Sequence, residues 1–135
     1  MGSKILLVDD DAAARRTLGM LLQQFGFAVV QAEDGAEALA LARAVSPDLI
    51  LCDYNMPGMN GGAVLRELRL KQPENAHVPF LIISGYIDKW TGGPDDPAPD
   101  VVLPKPLTVE KLLGAINGAL KQRRSAPQTA PNLPR

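Results

Sequence analysis

Five short, unbroken apolar runs constrain the fold of this 135-residue chain more than any other feature. They do not alternate with polar residues, so each run predicts a strand that is buried on both faces, as in a parallel sheet covered on both sides. The runs span residues 5–8, 27–30, 49–52, 80–83 and 101–103. Parallel strands need a crossover connection between them, which is usually a helix.

Four stretches with apolar residues at helical spacing lie between or after these runs. The stretches span residues 18–25, 38–45, 64–68 and 109–120. Boundary residues support them, because Gly26 follows the first stretch, while Asp34 and Thr108 precede the second and the last. This order of elements requires right-handed crossovers, with helices on both faces of the sheet. The sequence therefore predicts a doubly wound α/β domain with a five-stranded parallel sheet.

Two segments depart from this regular pattern. Residues 85–99, with the sequence GYIDKWTGGPDDPAP, stand where a further helix is due, but their glycines and prolines cannot support more than about one helical turn. We expect this helix to be short, distorted or replaced by a loop. The Pro-rich residues 123–135 predict a disordered tail or linker that follows a domain of residues 1–122.

Composition narrows the classes of protein that fit. Fourteen basic and 15 acidic residues give a formal net charge of −1, so no basic field favours direct binding of nucleic acid. Cys52 is the single cysteine, which excludes an internal disulfide and a cysteine-rich zinc site. Without a long apolar segment, we expect no membrane partner and a cytoplasmic location.

Polar side chains follow four of the five apolar runs. Asp9 and Asp10 follow the first run, Asp53 the third and Ser84 the fourth, and Lys105 comes one proline after the fifth. Ligands of open parallel sheets bind outside the carboxyl ends of the strands, so these groups should converge on one edge. Clustered carboxylates repel one another by roughly 3 kcal/mol per pair at about 5 Å and an effective dielectric near 20. A divalent cation, for which Mg²⁺ is suited, would offset this repulsion.

Such a cluster has the parts that phosphoryl transfer needs. With a metal in place, a carboxylate oxygen of Asp53 could attack a phosphoryl group, while Lys105 and Ser84 would stabilise the transferred charge. A single aspartate at a strand end is more often a turn former or a helix cap, and we expect Asp11 to be such a cap. Turn formation and helix capping do not readily explain why three carboxylates, a hydroxyl and an amine should all lie at one edge of the sheet.

Four motifs together resemble the receiver domain of two-component response regulators, in the CheY-like superfamily. They are ILLVDDD, DYNMPGMNGG, LIISGY and VVLPKPL, in this order and spacing. The resemblance covers about residues 4–122. It implies a flavodoxin-like sheet with strand order 2-1-3-4-5.

The resemblance also implies a role for each site residue. Asp53 is similar to the phosphoacceptor, Asp10 to the direct Mg²⁺ ligand and Asp9 to its water-mediated companion. Asn55 would offer its backbone carbonyl to the metal. Ser84 resembles the hydroxyl that turns toward the phosphoryl oxygen.

The remaining motif residues also have counterparts in the family. Lys105 resembles the lysine of the Lys-Pro pair, whose peptide bond to the following Pro106 is usually cis. Gly61 matches the glycine that lets the third helix begin close to the preceding loop. Val102, however, stands where the family usually has Tyr or Phe, and Tyr86 is a possible substitute.

The implied function is a signalling switch that takes a phosphoryl group from a sensor histidine kinase or a histidine phosphotransfer protein. Its output would be contact with a further, unidentified protein, and it would not be an enzyme beyond promoting its own phosphorylation and dephosphorylation. The alternative is a receiver-fold module that binds partners, or forms a homodimer, without phosphorylation. Val102 favours that alternative, whereas the intact set of site residues argues against it.

Overall fold

The structure, a computed structural model, describes residues 2–85 and 97–129, with side chains as far as Gln122. Strands and helices alternate along most of this part of the chain. The elements are β1 (Lys4–Val8), α1 (Ala12–Gln24), β2 (Ala28–Ala32), α2 (Gly35–Val45), β3 (Leu49–Asp53), α3 (Gly61–Lys71), a 3-10 helix (Pro73–Asn75), β4 (Phe80–Ser84), β5 (Val101–Pro104) and α4 (Val109–Thr129).

The five strands form one parallel sheet in the order β2-β1-β3-β4-β5, which confirms the predicted topology. Val8 near the end of β1 is in register with Ala32 of β2 and with Cys52 of β3. Cys52 is in turn in register with Ile82 of β4. The carboxyl ends of the central strands therefore lie at one level, where a ligand site is expected.

Two apolar cores, one on each face of the sheet, explain why the strand sequences do not alternate. Successive residues of β1 and β3 point to opposite faces, and in the described part of the chain two helices cover each face. One core joins α2 and α3 to the sheet through Leu6, Val8, Ala38, Ala42, Ile50, Val64, Leu65 and Leu68. The other joins α1 and α4 to it through Ile5, Leu7, Leu22, Leu49, Leu51, Leu112 and Ile116.

Side-chain oxygens cap the N-termini of all four described helices. Each cap accepts a hydrogen bond from a backbone N–H of the first turn, which would otherwise lack a partner. The caps are Asp11 for α1, Asp34 for α2, Asn60 for α3 and Thr108 for α4. The predicted capping role of Asp11 is thus confirmed, with its Oδ1 3.1 Å from the Ala13 nitrogen.

The end of the chain differs from the boundary that the sequence predicted. Helix α4 continues past residue 122 and ends at Thr129. Residues 121–124 read Lys-Gln-Arg-Arg, which favour a helix, and the first proline of the tail, Pro127, falls only in the last turn. The expected disorder of residues 130–135, and most of the segment expected to hold a distorted helix, residues 86–96, lie outside the described residues.

No helix in the described ranges is both long and apolar enough to cross a membrane.

Gly61 sets how closely α3 approaches the end of β3. Its N–H donates to the Tyr54 carbonyl at 2.9 Å. A Cβ at this position would lie 2.9 Å from the Asp53 carbonyl oxygen and 3.1 Å from the Tyr54 Cα. Both neighbours are backbone atoms, so any side chain here would displace the loop that follows Asp53.

The Gly61→Ala variant should lower the free energy of unfolding by about 1–3 kcal/mol, because the added methyl group forces the backbone after β3 to move. Gly114→Ala is the matched control, since a Cβ at that position in α4 meets nothing within 4 Å. The control should raise the free energy of unfolding by up to about 1 kcal/mol through helix propensity. Urea unfolding measures both changes, and equal effects of the two variants would contradict the contact assigned to Gly61.

Candidate functional site

The candidate site lies at the carboxyl ends of β1, β3, β4 and β5. Backbone hydrogen bonds extend the parallel pairing one residue past three of these strands. The bonds are Asp9 N–H to the Ala32 carbonyl at 3.1 Å, Tyr54 N–H to the Ile83 carbonyl at 2.8 Å and Lys105 N–H to the Ser84 carbonyl at 2.9 Å. The sheet hydrogen bonding therefore extends to the backbone of the site.

Three carboxylates from two strand ends meet at this edge. Asp9, Asp10 and Asp53 each offer an oxygen, and these oxygens all lie within 4.8 Å of one another. At this separation and an effective dielectric of about 20, each ionised pair repels by roughly 3 kcal/mol. A cluster of hard carboxylate oxygens is the donor set that Mg²⁺ prefers, so the residues fit a magnesium ion.

Asp53 is the most enclosed member of the cluster, with 5% of its surface exposed. Burial raises the pKa of its carboxyl group, and the nearby Asp10 raises this pKa further. Two donors oppose the shift. The Lys105 Nζ lies 2.9 Å from Asp53 Oδ1, and the backbone N–H of Asn55 also donates to this carboxylate. Asp53 is therefore a desolvated carboxylate whose charge is balanced by one lysine.

The pKa values of Asp9 and Lys105 respond to the same cluster. Burial raises the pKa of Asp9, against a backbone hydrogen bond in which the Asp11 N–H donates to Asp9 Oδ1 at 3.0 Å. Repulsion from Asp53 adds to the upward shift. The pKa of Lys105 is raised as well, chiefly because its ammonium group donates a hydrogen bond to Asp53. The three groups thus form one electrostatic unit.

Ser84 and the Lys-Pro pair lie where the sequence predicted them. Ser84 ends β4, is 2% exposed and is in register with Pro104 of β5. The peptide bond between Lys105 and Pro106 is cis. The sheet therefore brings Ser84 and Lys105, from neighbouring strand ends, to the same edge as the acidic cluster.

Val102, which departs from the family pattern, is described by the structure, whereas its suggested substitute is not. Val102 occupies β5, where it is half-buried and in register with Ile82. Tyr86, which the sequence suggested as a substitute, lies outside the described residues.

Asn55 is exposed and contributes its backbone N–H to the site. Its predicted use of the carbonyl as a metal ligand stays a prediction.

Arg15 is a site neighbour that the sequence analysis missed. Its Nη1 donates to the Asp9 carbonyl at 2.6 Å, and its Nε donates to Gln31 Oε1 at 3.1 Å. The sequence alone hardly distinguishes Arg15 from Arg16 as a site neighbour, because the two arginines are adjacent and both lie in the first part of α1. The one indication in the sequence is that Arg15 lies one helical turn after Asp11, the N-cap of α1, and therefore close to the end of β1.

The metal-free protein should respond to pH through the raised pKa values of Asp9 and Asp53. Raised values mean that the folded state keeps protons that the unfolded chain releases, so their contribution to stability is lost as the pH rises above the ordinary value of 3.8. Wild-type protein should therefore gain unfolding free energy relative to Asp53→Asn as the pH is lowered from about 7 to about 4. Urea unfolding in the presence of a chelator measures this difference. A difference that stays constant over the range would contradict the assignment.

A family model described as the response regulator receiver domain matches residues 5–117. Two curated relatives illustrate the similarity. The response regulator MprA of Mycobacterium tuberculosis is 36% identical over 132 residues, which cover 96% of this chain and 55% of the relative. The DNA-binding dual master transcriptional regulator RpaA of Synechocystis is 35% identical over 129 residues, which cover 94% and 53%. The chain thus spans about half the length of these relatives.

Solved structures agree with the family model. The chemotaxis protein CheY4 of Vibrio cholerae is 30% identical with a TM-score of 0.75, and the match covers 88% of this chain and 99% of that one. The response regulator TrrA of Thermotoga maritima, solved in complex with Mg²⁺ and BeF, is 27% identical with a TM-score of 0.73, and covers 87% and 98%. The residues, the strand order and these similarities together show that the chain belongs to the response regulator receiver domain family of two-component systems.

Proposed function

We propose that this receiver domain is a phosphorylation-dependent switch that accepts a phosphoryl group on Asp53. The donor would be a sensor histidine kinase or a histidine phosphotransfer protein. The observation that carries the proposal is the environment of Asp53, a carboxylate that is only 5% exposed and lies 2.9 Å from the Lys105 ammonium group. Two further carboxylates lie beside it, and such a concentration of charge at a buried position is typical of a reactive site.

The proposed reaction is a direct transfer. An ionised oxygen of Asp53 attacks phosphorus, the new O–P bond forms and the P–N bond of the donor phosphohistidine breaks. The electron pair of the P–N bond leaves with the donor imidazole, whose other ring nitrogen carries a proton, so the leaving group departs as neutral imidazole. The attacking carboxylate is already ionised and has no proton to lose. Asp53 is ionised near neutral pH when Lys105 and a bound cation balance its charge.

Asp9, Asp10, Asp53 and the carbonyl of Asn55 would hold the cation. A bound Mg²⁺ would neutralise phosphoryl oxygens and orient the group for in-line attack. Lys105 would move its hydrogen bond from Asp53 to a phosphoryl oxygen, because the new group carries more negative charge than the carboxylate. The Ser84 hydroxyl, at the end of the neighbouring strand, would donate to another phosphoryl oxygen.

The output follows from the change in charge. The phosphoryl group of an aspartyl phosphate carries about −1.5 to −2 charges, as on other phosphorylated side chains, and it takes the place of the single negative charge of the carboxylate. The site therefore gains about −0.5 to −1 charge, which would redirect Lys105 and Ser84 toward the new group. A partner protein would then bind the altered surface. The net charge of −1 supports output through protein contact rather than through direct binding of nucleic acid by this domain. A cytoplasmic location is part of the same proposal.

Intact mass after incubation with acetyl phosphate and Mg²⁺ tests the phosphoacceptor. Wild-type protein should gain one phosphoryl group, whereas Asp53→Ala, or wild type in a chelator, should gain none. Glu33→Gln is a matched control, because it removes an exposed carboxylate from the residue that follows β2 and should leave the uptake unchanged.

A folded wild-type protein that gained no mass, beside a receiver labelled in parallel, would contradict the proposal. It would instead support a receiver-fold module that binds its partner without phosphorylation. An adduct that persisted in Asp53→Ala would place the acceptor at another residue.

The charge of Lys105 should matter for the rate of uptake. Lys105→Gln should slow formation of the adduct by on the order of 100-fold, because it removes a preorganised cation from the developing negative charge. The control is Lys111→Gln, an exposed lysine of α4. Time courses of intact mass measure both rates. Equal rates in the wild type and in Lys105→Gln would show that Lys105 has no part in the transfer.

A further inference from the structure

Arg15 links three elements around the end of β1. Its guanidinium group donates from Nη1 to the Asp9 carbonyl at 2.6 Å and from Nε to Gln31 Oε1 at 3.1 Å. Arg15 belongs to α1, Asp9 follows β1 and Gln31 belongs to β2. Arg15 therefore connects the helix, the strand end and the neighbouring strand through one planar group.

We infer that Arg15 is a positioning residue for the metal site, acting through the peptide that joins Asp9 to Asp10. This inference rests on the proposed function in one respect, namely that these two carboxylates bind a divalent cation. It assigns a role in that function to Arg15, which donates a hydrogen bond to the backbone carbonyl of Asp9 and not to a carboxylate.

The hydrogen bonds of Asp9 show what Arg15 adds. Its N–H is held by the Ala32 carbonyl at 3.1 Å, and its Oδ1 accepts from the Asp11 N–H at 3.0 Å. The Asp9 carbonyl lies past the end of β1, and it accepts from Arg15 at 2.6 Å. Because this carbonyl, the Asp10 nitrogen and the Asp10 Cα lie in one peptide plane, holding the carbonyl also fixes the position of the Cα from which the Asp10 side chain leaves the backbone.

Gln31 in turn holds Arg15, and Gly19 makes room for Gln31. A Cβ at Gly19 would lie 2.8 Å from Gln31 Nε2, so the glycine lets this side chain lie directly against α1. Gly19 is one helical turn after Arg15 and is buried. A glycine in the middle of a helix costs about 1 kcal/mol relative to alanine, and the packing of Gln31 gives this glycine a physical reason.

The role requires the geometry of arginine and not only its charge. A guanidinium group donates along fixed directions in one plane, so it can hold the Asp9 carbonyl and Gln31 at the same time. A lysine would keep the positive charge but has a single ammonium group that cannot reproduce this arrangement. Residues that orient metal ligands typically contribute 10-fold to 100-fold to metal affinity, although they do not touch the metal.

The test is Mg²⁺ affinity without any phosphodonor, measured from amide chemical shifts during titration with MgCl₂. Arg15→Gln and Arg15→Lys should both raise the Mg²⁺ Kd by roughly tenfold. Arg16→Gln removes the same charge from the neighbouring, exposed position and should leave the Kd within about twofold. A wild-type Kd in Arg15→Lys would overturn the inference, because charge alone would then suffice.

Gly19→Ala separates positioning from stability. Its added methyl group should displace Gln31 and raise the Mg²⁺ Kd a few-fold, while the melting temperature without metal stays the same or rises. Variants of Arg15 that melt at lower temperature but bind Mg²⁺ as wild type does would overturn the inference, since the contact would then be structural only. Wild-type protein that binds Mg²⁺ but gains no phosphoryl group would contradict the proposed function and leave this comparison valid.

Discussion

The repulsion among three carboxylates at one end of the sheet is the constraint on which the rest of the site depends. Asp53 is nearly excluded from solvent, and oxygens of Asp9 and Asp10 lie within 4.8 Å of one of its oxygens. In the described structure, Lys105 is the cation that contacts this cluster directly, at 2.9 Å from Asp53. One ammonium group cannot balance three ionised carboxylates, so the arrangement favours a divalent cation.

The sheet holds this unfavourable arrangement in place. Hydrogen bonds continue the parallel pairing past the ends of β1, β3 and β5, and they reach Asp9, Tyr54 and Lys105. The two apolar cores on opposite faces keep the strand ends level, because a shift of one strand would expose residues such as Leu51 or Ile82. The free energy that maintains the site therefore comes from apolar burial at a distance from it.

Packing also positions the loop between β3 and α3. Gly61 allows α3 to begin against the backbone of Asp53, and Gly35 packs its backbone against the Met59 side chain, whose sulfur would lie 2.6 Å from a Cβ at that position. At both positions, the absence of a side chain allows the helix to lie in close contact with the loop between β3 and α3. As a result, the residues after Asp53 are held between two helix N-termini, and the Asn55 N–H can donate to the carboxylate.

The sequence by itself determined the strands, most helices, the order of the sheet and the set of polar residues at its edge. Unbroken apolar runs predicted burial on both faces, which the structure confirms for β1, β3 and β4. The prediction is wrong for β2, an edge strand in which Ala28 and Gln31 are exposed. Four motifs in register identify the family, so the fold needed no coordinates. The sequence did not locate the end of α4, because helix-favouring residues before Pro127 outweighed the Pro-rich composition that followed.

Only the tertiary structure decided which side chains meet. Arg15 and Arg16 are equivalent in the sequence, but side chains of consecutive helical residues point about 100° apart, and the packing of α1 on the sheet turns Arg15 toward Asp9. The contact of Gln31 with Gly19 depends in the same way on the distance between α1 and β2. Local sequence determines backbone conformation and burial, whereas contacts between distant side chains depend on how the elements are oriented when they pack.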